Sequence, residues 1–170
     1  LQGEKGLETR TLTLTTQVQG AGRRFTLDAL EIDGGPDTGL KLSGTGELTL
    51  EGAPQLALDL SARALDLDFP VTGKQGGAQL PEITEAWTRL ARSVMQGRLS
   101  LSRIETSLTL KTQSLTLGGE SLRDLVVSGV IGPQGGRVNR FSLGVPGRGQ
   151  VTASGTLGRM DDPRFSGPVQ

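Results

Sequence analysis

The sequence predicts a mainly β protein: an antiparallel meander sheet, curved by bulges and apolar on one face, plus one α-helix near residues 81–96. Three observations predict it. Apolar residues recur with period two through most of the chain. Turn signals built on Gly and Pro separate these runs at short intervals. The apolar content is aliphatic, not aromatic: Gly makes up 26 of 170 residues, against one Trp, four Phe and no Tyr, where roughly 7% Gly is usual.

The alternation begins with Leu12, Leu14, Thr16 and Val18, set between Thr11, Thr13, Thr15 and Gln17. Leu40, Leu42, Leu48 and Leu50 hold one parity, and Leu56, Leu58 and Leu60 continue it. Later runs are Leu99 with Leu101, Leu108 with Leu110, Leu115 with Leu117, and Leu125 with Val127. Phe141, Leu143 and Val145 follow, then Val151 and Ala153. Successive side chains of a strand point to opposite faces, so each run has one apolar and one polar face. That is the pattern of an antiparallel sheet wet on one side. Between the runs lie Gly20-Ala21-Gly22, Gly34-Gly35-Pro36-Asp37, Gly52-Ala53-Pro54, Gly118-Gly119, Gly132-Pro133-Gln134-Gly135, Pro146-Gly147-Arg148-Gly149 and Asp161-Asp162-Pro163. Gly supplies positive φ and Pro presets φ, so these read as hairpin connections in a meander of about ten strands.

The parity slips twice. Phe25 and Leu27 are odd, whereas Leu30 and Ile32 are even; Leu60 is even, whereas Leu65, Leu67 and Phe69 are odd. One extra residue restores the face, so bulges are expected near Asp28-Ala29 and Ala62-Arg63. Residues 81–96 change period: Ile83, Trp87, Leu90, Ala91 and Val94 fall on one helical face. Pro81 at the start, Glu82 and Glu85 in the first turn and Gly97 at the end suit helix termini. This helix is expected on the apolar side of the sheet, either as a lid over a groove or as an ordinary core helix. The segment from Ala29 to Thr45 also resembles that from Arg140 to Thr156, at a constant offset and without a gap. This internal repeat points to two consecutive β-units.

The same composition excludes much chemistry. With no Cys and no His, the usual zinc and haem sites, a thiol nucleophile and an imidazole base are missing. Lys plus Arg equals Asp plus Glu at 18 each, which gives no overall basic field for nucleic acid, and the few rings offer little stacking. Asp66 and Asp68 alternate with Leu65 and Leu67, which makes them a solvated strand face before it makes them a catalytic pair. No Gly pair leads into a phosphate-binding loop. No catalytic residue, metal ligand or cofactor is expected. What remains is the aliphatic face. In a flat sandwich two such faces close on each other; in a coiled open sheet the face lines a groove that fits acyl chains. Residue pattern alone leaves both open.

A family resemblance favours the groove. Leu108-Thr109-Leu110, then Leu115-Thr116-Leu117-Gly118-Gly119-Glu120-Ser121-Leu122-Arg123-Asp124-Leu125, resembles the strand, Leu-Gly-Gly turn and Leu-x-Asp-Leu step of the AsmA-like proteins of Gram-negative envelopes. The continuation through Gly132-Pro133-Gln134-Gly135, Leu143-Gly144-Val145-Pro146-Gly147 and Ser154-Gly155-Thr156-Leu157 keeps the family's order. So does the earlier stretch from Gly44-Thr45-Gly46 to Leu65-Asp66-Leu67-Asp68. The resemblance implies a non-catalytic periplasmic segment, tethered to the inner membrane by an anchor absent from this chain. It implies long curved sheets whose apolar groove shelters phospholipid acyl chains for inter-membrane transport and outer-membrane biogenesis, and possible envelope-protein partners. It implies no nucleic acid. Residues 1–170 then read as one fragment of a longer chain, with units at 11–70, 81–96 and 98–168. The expected lipid-binding residues are Leu40, Leu42, Leu48, Leu50, Leu56, Leu58, Leu60, Leu99, Leu101, Leu108 and Leu110. The alternative is a structural or interaction module, a β-sandwich or β-solenoid, without ligand.

Overall fold

The structure, a computed structural model, describes residues 13–35, 40–68, 104–132, 135–158 and 165–170. These residues form a mainly β fold. The strands are β1 (Thr13–Ala21), β2 (Arg24–Asp33), β3 (Lys41–Thr49), β4 (Gln55–Asp66), β5 (Glu105–Leu117), β6 (Glu120–Gly132), β7 (Gly135–Val145), β8 (Gly149–Leu157) and β9 (Phe165–Ser166). They make one open nine-stranded sheet whose spatial order is the chain order. The expected helix at residues 81–96, and the strand carrying Leu99 and Leu101, lie outside the described residues.

The expected all-antiparallel meander needs one correction. Seven of the eight neighbouring pairs are antiparallel, but β4 and β5 run parallel, from Gln55↔Glu105 to Asp66↔Thr116. A hairpin cannot make a parallel pair, because the chain must return to the starting end of the first strand. Period-two alternation is the same in both kinds of pair, so the sequence pattern did not distinguish them.

Both expected bulges are present. Thr15 pairs with Glu31 and Gln17 with Asp28, while Leu27 pairs with Gly46 and Leu30 with Gly44. The extra residue in β2 is therefore bulged against both neighbours, and Ala29 takes a left-handed φ of 51°. The Thr16 hydroxyl donates to the Asp28 carbonyl at 3.0 Å across this bulge. Leu30 then returns to the apolar side, where it is buried. In β4, Ser61 pairs with Ser43 and Leu65 bridges Leu40, so β4 carries one more residue than β3 around Ala62-Arg63. β5 changes phase at the same level, since Ala62 stays paired with Thr112 and Leu65 with Leu115. Thr112 sits at this step with its hydroxyl donating to the Ser114 carbonyl at 2.8 Å, which satisfies a buried polar group.

The internal repeat is visible as geometry. The β2 register shift lies between Leu27 and Leu30, and the β7 shift lies between Val138 and Phe141, at matching repeat positions. Gly44 and Gly155 also match. A Cβ at Gly44 would run into the Asp59 carbonyl oxygen, and one at Gly155 into that of Ser166. The copies differ in their loops, since Ile32 pairs with Leu42 but Leu143 with Val151.

Leu65, Leu115, Leu125 and Leu143 form the buried core, with Leu67, Leu117, Leu122 and Phe141 packed around it. The core sits where β4 and β5 end and β6 begins. Two stability outcomes follow. Leu115→Ala should cost about 3 kcal/mol, because Leu115 is 2% exposed and truncation leaves a cavity. Gly44→Ala should cost about 2 kcal/mol by forcing β3 from β4. Gly132→Ala, whose methyl meets nothing nearer than 3.8 Å, should cost far less. Urea denaturation of the three variants measures this ordering.

Candidate functional site

Residues paired across a sheet share a face, so the register identifies what the leucines build. One row runs Leu27, Gly46, Leu58, Leu108, Gly129 and Val138. The next runs Leu30, Gly44, Leu60, Leu110, Val127 and Phe141. Phe25, Leu48 and Leu56 lie in the row on the other side. The aliphatic face is thus continuous across the parallel junction and both groups of antiparallel strands.

Nine of the eleven expected lipid-facing leucines fall in the described residues, and seven of them are half-buried. Leu40, Leu42 and Leu110 pack against the core cluster, and Leu60 is buried. Leu48, Leu56, Leu58 and Leu108 are half-buried, and Leu50 is exposed beyond the end of β3. Leu99 and Leu101 lie outside the described residues. The large exposed apolar side chains belong to this face or its margins: Leu14 and Val18 on β1, Leu50, Ile131 at the end of β6, and Phe165 and Val169 near the last strand. The strands after Leu110 also contribute to this face, through Val127 and Phe141. Val127 and Phe141 carry the same alternation that singled out the earlier leucines, and that was the signal for them.

The opposite face is built of hydroxyls and charges. Arg24 meets Glu47 at 3.4 Å and Lys111 meets Asp59 at 3.8 Å, both exposed pairs of the kind that add little stability. Gln19 donates to Asp28 at 3.0 Å and Gln55 to Glu105 at 3.3 Å. A shallow concavity there is lined by Thr26, Asp28, Thr45, Asp59, Ser107 and Thr109. Among the described residues no three His, Cys, Asp or Glu side chains gather as a cation cage would require.

Asp68 corrects the expectation of a solvated carboxylate pair. It is fully buried, and its two carboxylate oxygens accept from the backbone N–H groups of Gly118 and Gly119, each at 2.7 Å. Leu117 pairs with Glu120, so Gly118 and Gly119 form a two-residue hairpin loop. Their φ values, 65° and 77°, are both positive, as the favoured hairpin turn requires. The central amides of such a loop have no ladder partner, and together they present a small concave donor site. The Asp68 carboxylate fills it with charge-assisted hydrogen bonds. Asp66 prepares this geometry by accepting the Asp68 N–H at 2.8 Å, and the Leu67 N–H donates to the Thr116 carbonyl at 3.0 Å. The end of β4 is thereby fastened to the β5–β6 hairpin. The pairing spans about fifty residues of chain, which is why local spacing did not reveal it.

Comparison with family models, curated proteins and solved structures finds no match. The functional reading therefore rests on the apolar face and on the sequence resemblance.

Asp68→Ala should lower stability by about 3 kcal/mol, because two charge-assisted hydrogen bonds are lost. Asp68→Asn should lose roughly half as much, since its amide keeps a single acceptor oxygen. Urea midpoints of the two variants test the clamp, and equal losses would contradict it.

Proposed function

We propose that this chain is a non-catalytic, lipid-sheltering segment of an AsmA-like envelope protein, working in the periplasm of a longer parent tethered to the inner membrane. The single observation that carries the reading is the continuous aliphatic face, unbroken by a charged side chain from Leu27 to Val138 along one paired row. Such a face holds acyl chains by contact area alone. Each buried CH₂ contributes about 0.8 kcal/mol, so discrimination between chain types is low. Leu48, Leu56, Leu58 and Leu108, half-buried and adjacent in register, would make the contact. Phospholipid transport between the membranes and outer-membrane biogenesis are the processes this activity would serve.

A second reading is favoured by the other four leucines. Leu60 is buried, and Leu40, Leu42 and Leu110, though half-buried, pack against the core cluster, as they would in a structural or interaction module that fills its own apolar face and takes no ligand.

Native mass spectrometry after incubation with phosphatidylethanolamine and phosphatidylglycerol separates the two. Sheltering of acyl chains yields lipid adducts with little headgroup preference. Leu48→Asp with Leu56→Asp should remove most of them, whereas Thr45→Asp on the opposite face should not. Absence of adducts from the folded protein, or adducts indifferent to the leucine substitutions, would favour the structural module.

A further inference from the structure

We infer that a phospholipid on this face lies along the strands in one direction, with its phosphate at Arg23 and its acyl tails toward the Leu65–Leu115 core. This orientation rests on the lipid-sheltering reading and goes beyond it by assigning each end of the face. The two ends differ in packing. At one end Phe25, Leu48, Leu56, Thr106 and Ile131 are paired in a single row. None of them is buried, and Ile131 is 43% exposed. In the next row Leu27, Leu58 and Leu108 are half-buried. In the row after that Leu30 and Leu60 are buried, and beyond it Leu65, Leu115 and Leu125 belong to the core. Open apolar surface therefore lies at the Leu48–Leu56 end and diminishes along the strands toward the core.

Charge distinguishes the same two ends. The Leu50 N–H donates to the Arg23 carbonyl at 2.8 Å, one step beyond the Arg24–Thr49 pair. Phe25 and Leu48 are on the apolar side, so the register puts Arg23 and Leu50 on that side as well. Arg23 is exposed, and among the described residues it makes no ion pair. Arg24, by contrast, meets Glu47 on the opposite face, where Glu51 lines a concavity with Arg24 and Thr26. At the core end Glu120 stands opposite Leu117, on the side of Leu115 and Leu122. The Asp68 carboxylate already occupies the Gly118 and Gly119 amides there. A guanidinium holds phosphate oxygens by charge-assisted hydrogen bonds, and a carboxylate repels them. An amphiphile with a phosphate at one end and aliphatic tails at the other matches this face in one direction only. The phosphate is common to phosphatidylethanolamine and phosphatidylglycerol, which agrees with weak discrimination between their headgroups.

Two measurements test the orientation. Native mass spectrometry compares phosphatidylethanolamine with the diacylglycerol that carries the same tails. Arg23→Glu should weaken phosphatidylethanolamine binding by about tenfold and leave diacylglycerol binding unchanged. Arg140→Glu, opposite Ser128 on the polar face, should change neither. Photocrosslinking then uses phosphatidylethanolamine with a diazirine at the tail terminus or next to the glycerol. The terminal probe should label Leu110, Val127 and Phe141, and the glycerol-proximal probe Phe25, Leu48 and Leu56. Far-UV circular dichroism confirms that both variants are folded, which the exposure of Arg23 and Arg140 favours. Reversed or indiscriminate labelling overturns the orientation while leaving lipid sheltering in place. An Arg23→Glu variant that binds both lipids as before, or loses both equally, overturns the phosphate contact. Absence of adducts with either lipid defeats the sheltering reading itself, and the orientation with it.

Discussion

The parallel pairing of β4 with β5 makes one sheet from two antiparallel groups, β1 to β4 and β5 to β9. The long rows from Leu27 to Val138 and from Leu30 to Phe141 cross this junction, so the face is continuous only while the two strands stay in register. A parallel pair lacks the hairpin that would set its register and is slightly weaker per residue. Here the register is held at the core end by packing of Leu65 and Leu115 and by the Asp68 carboxylate on the Gly118 and Gly119 amides. The clamp attaches the end of β4 to the hairpin that begins β6, so it joins three strands through two short hydrogen bonds. The wide spread of paired leucines is thus anchored at a compact point.

From that point outward the face changes character. Near the core, Leu40, Leu42 and Leu110 are packed. Elsewhere on the face Leu30 is buried, Leu48, Leu56, Leu58 and Leu108 are half-buried, and Leu14 and Val18 on β1 are exposed. Full burial of an apolar sheet face requires a second layer, a ligand or another chain. The half-buried leucines in the middle of the face are the physical reason for proposing acyl chains there.

Much of this was readable before any coordinates. The alternation of Leu56, Leu58 and Leu60 with Gln55, Ala57 and Asp59 placed the face correctly, and the parity slips at Asp28-Ala29 and Ala62-Arg63 marked where extra residues sit. The direction of β5 and the role of Asp68 were not readable. In a strand, parity reports which side a residue faces and nothing about the direction of its neighbour. Asp68 alternates with leucines like any solvated carboxylate, and its partners lie in a hairpin turn 50 and 51 residues further along the chain.

The sequence by itself determined the strands, their apolar side, their bulges and the scarcity of chemistry-bearing groups. These follow from local sterics and from the two-residue period of the extended chain. Only the tertiary structure decided which leucines are core and which are open, that one strand pair is parallel, and that a carboxylate is buried on a glycine turn. Those outcomes depend on contacts between residues distant in the chain, and no local period encodes them.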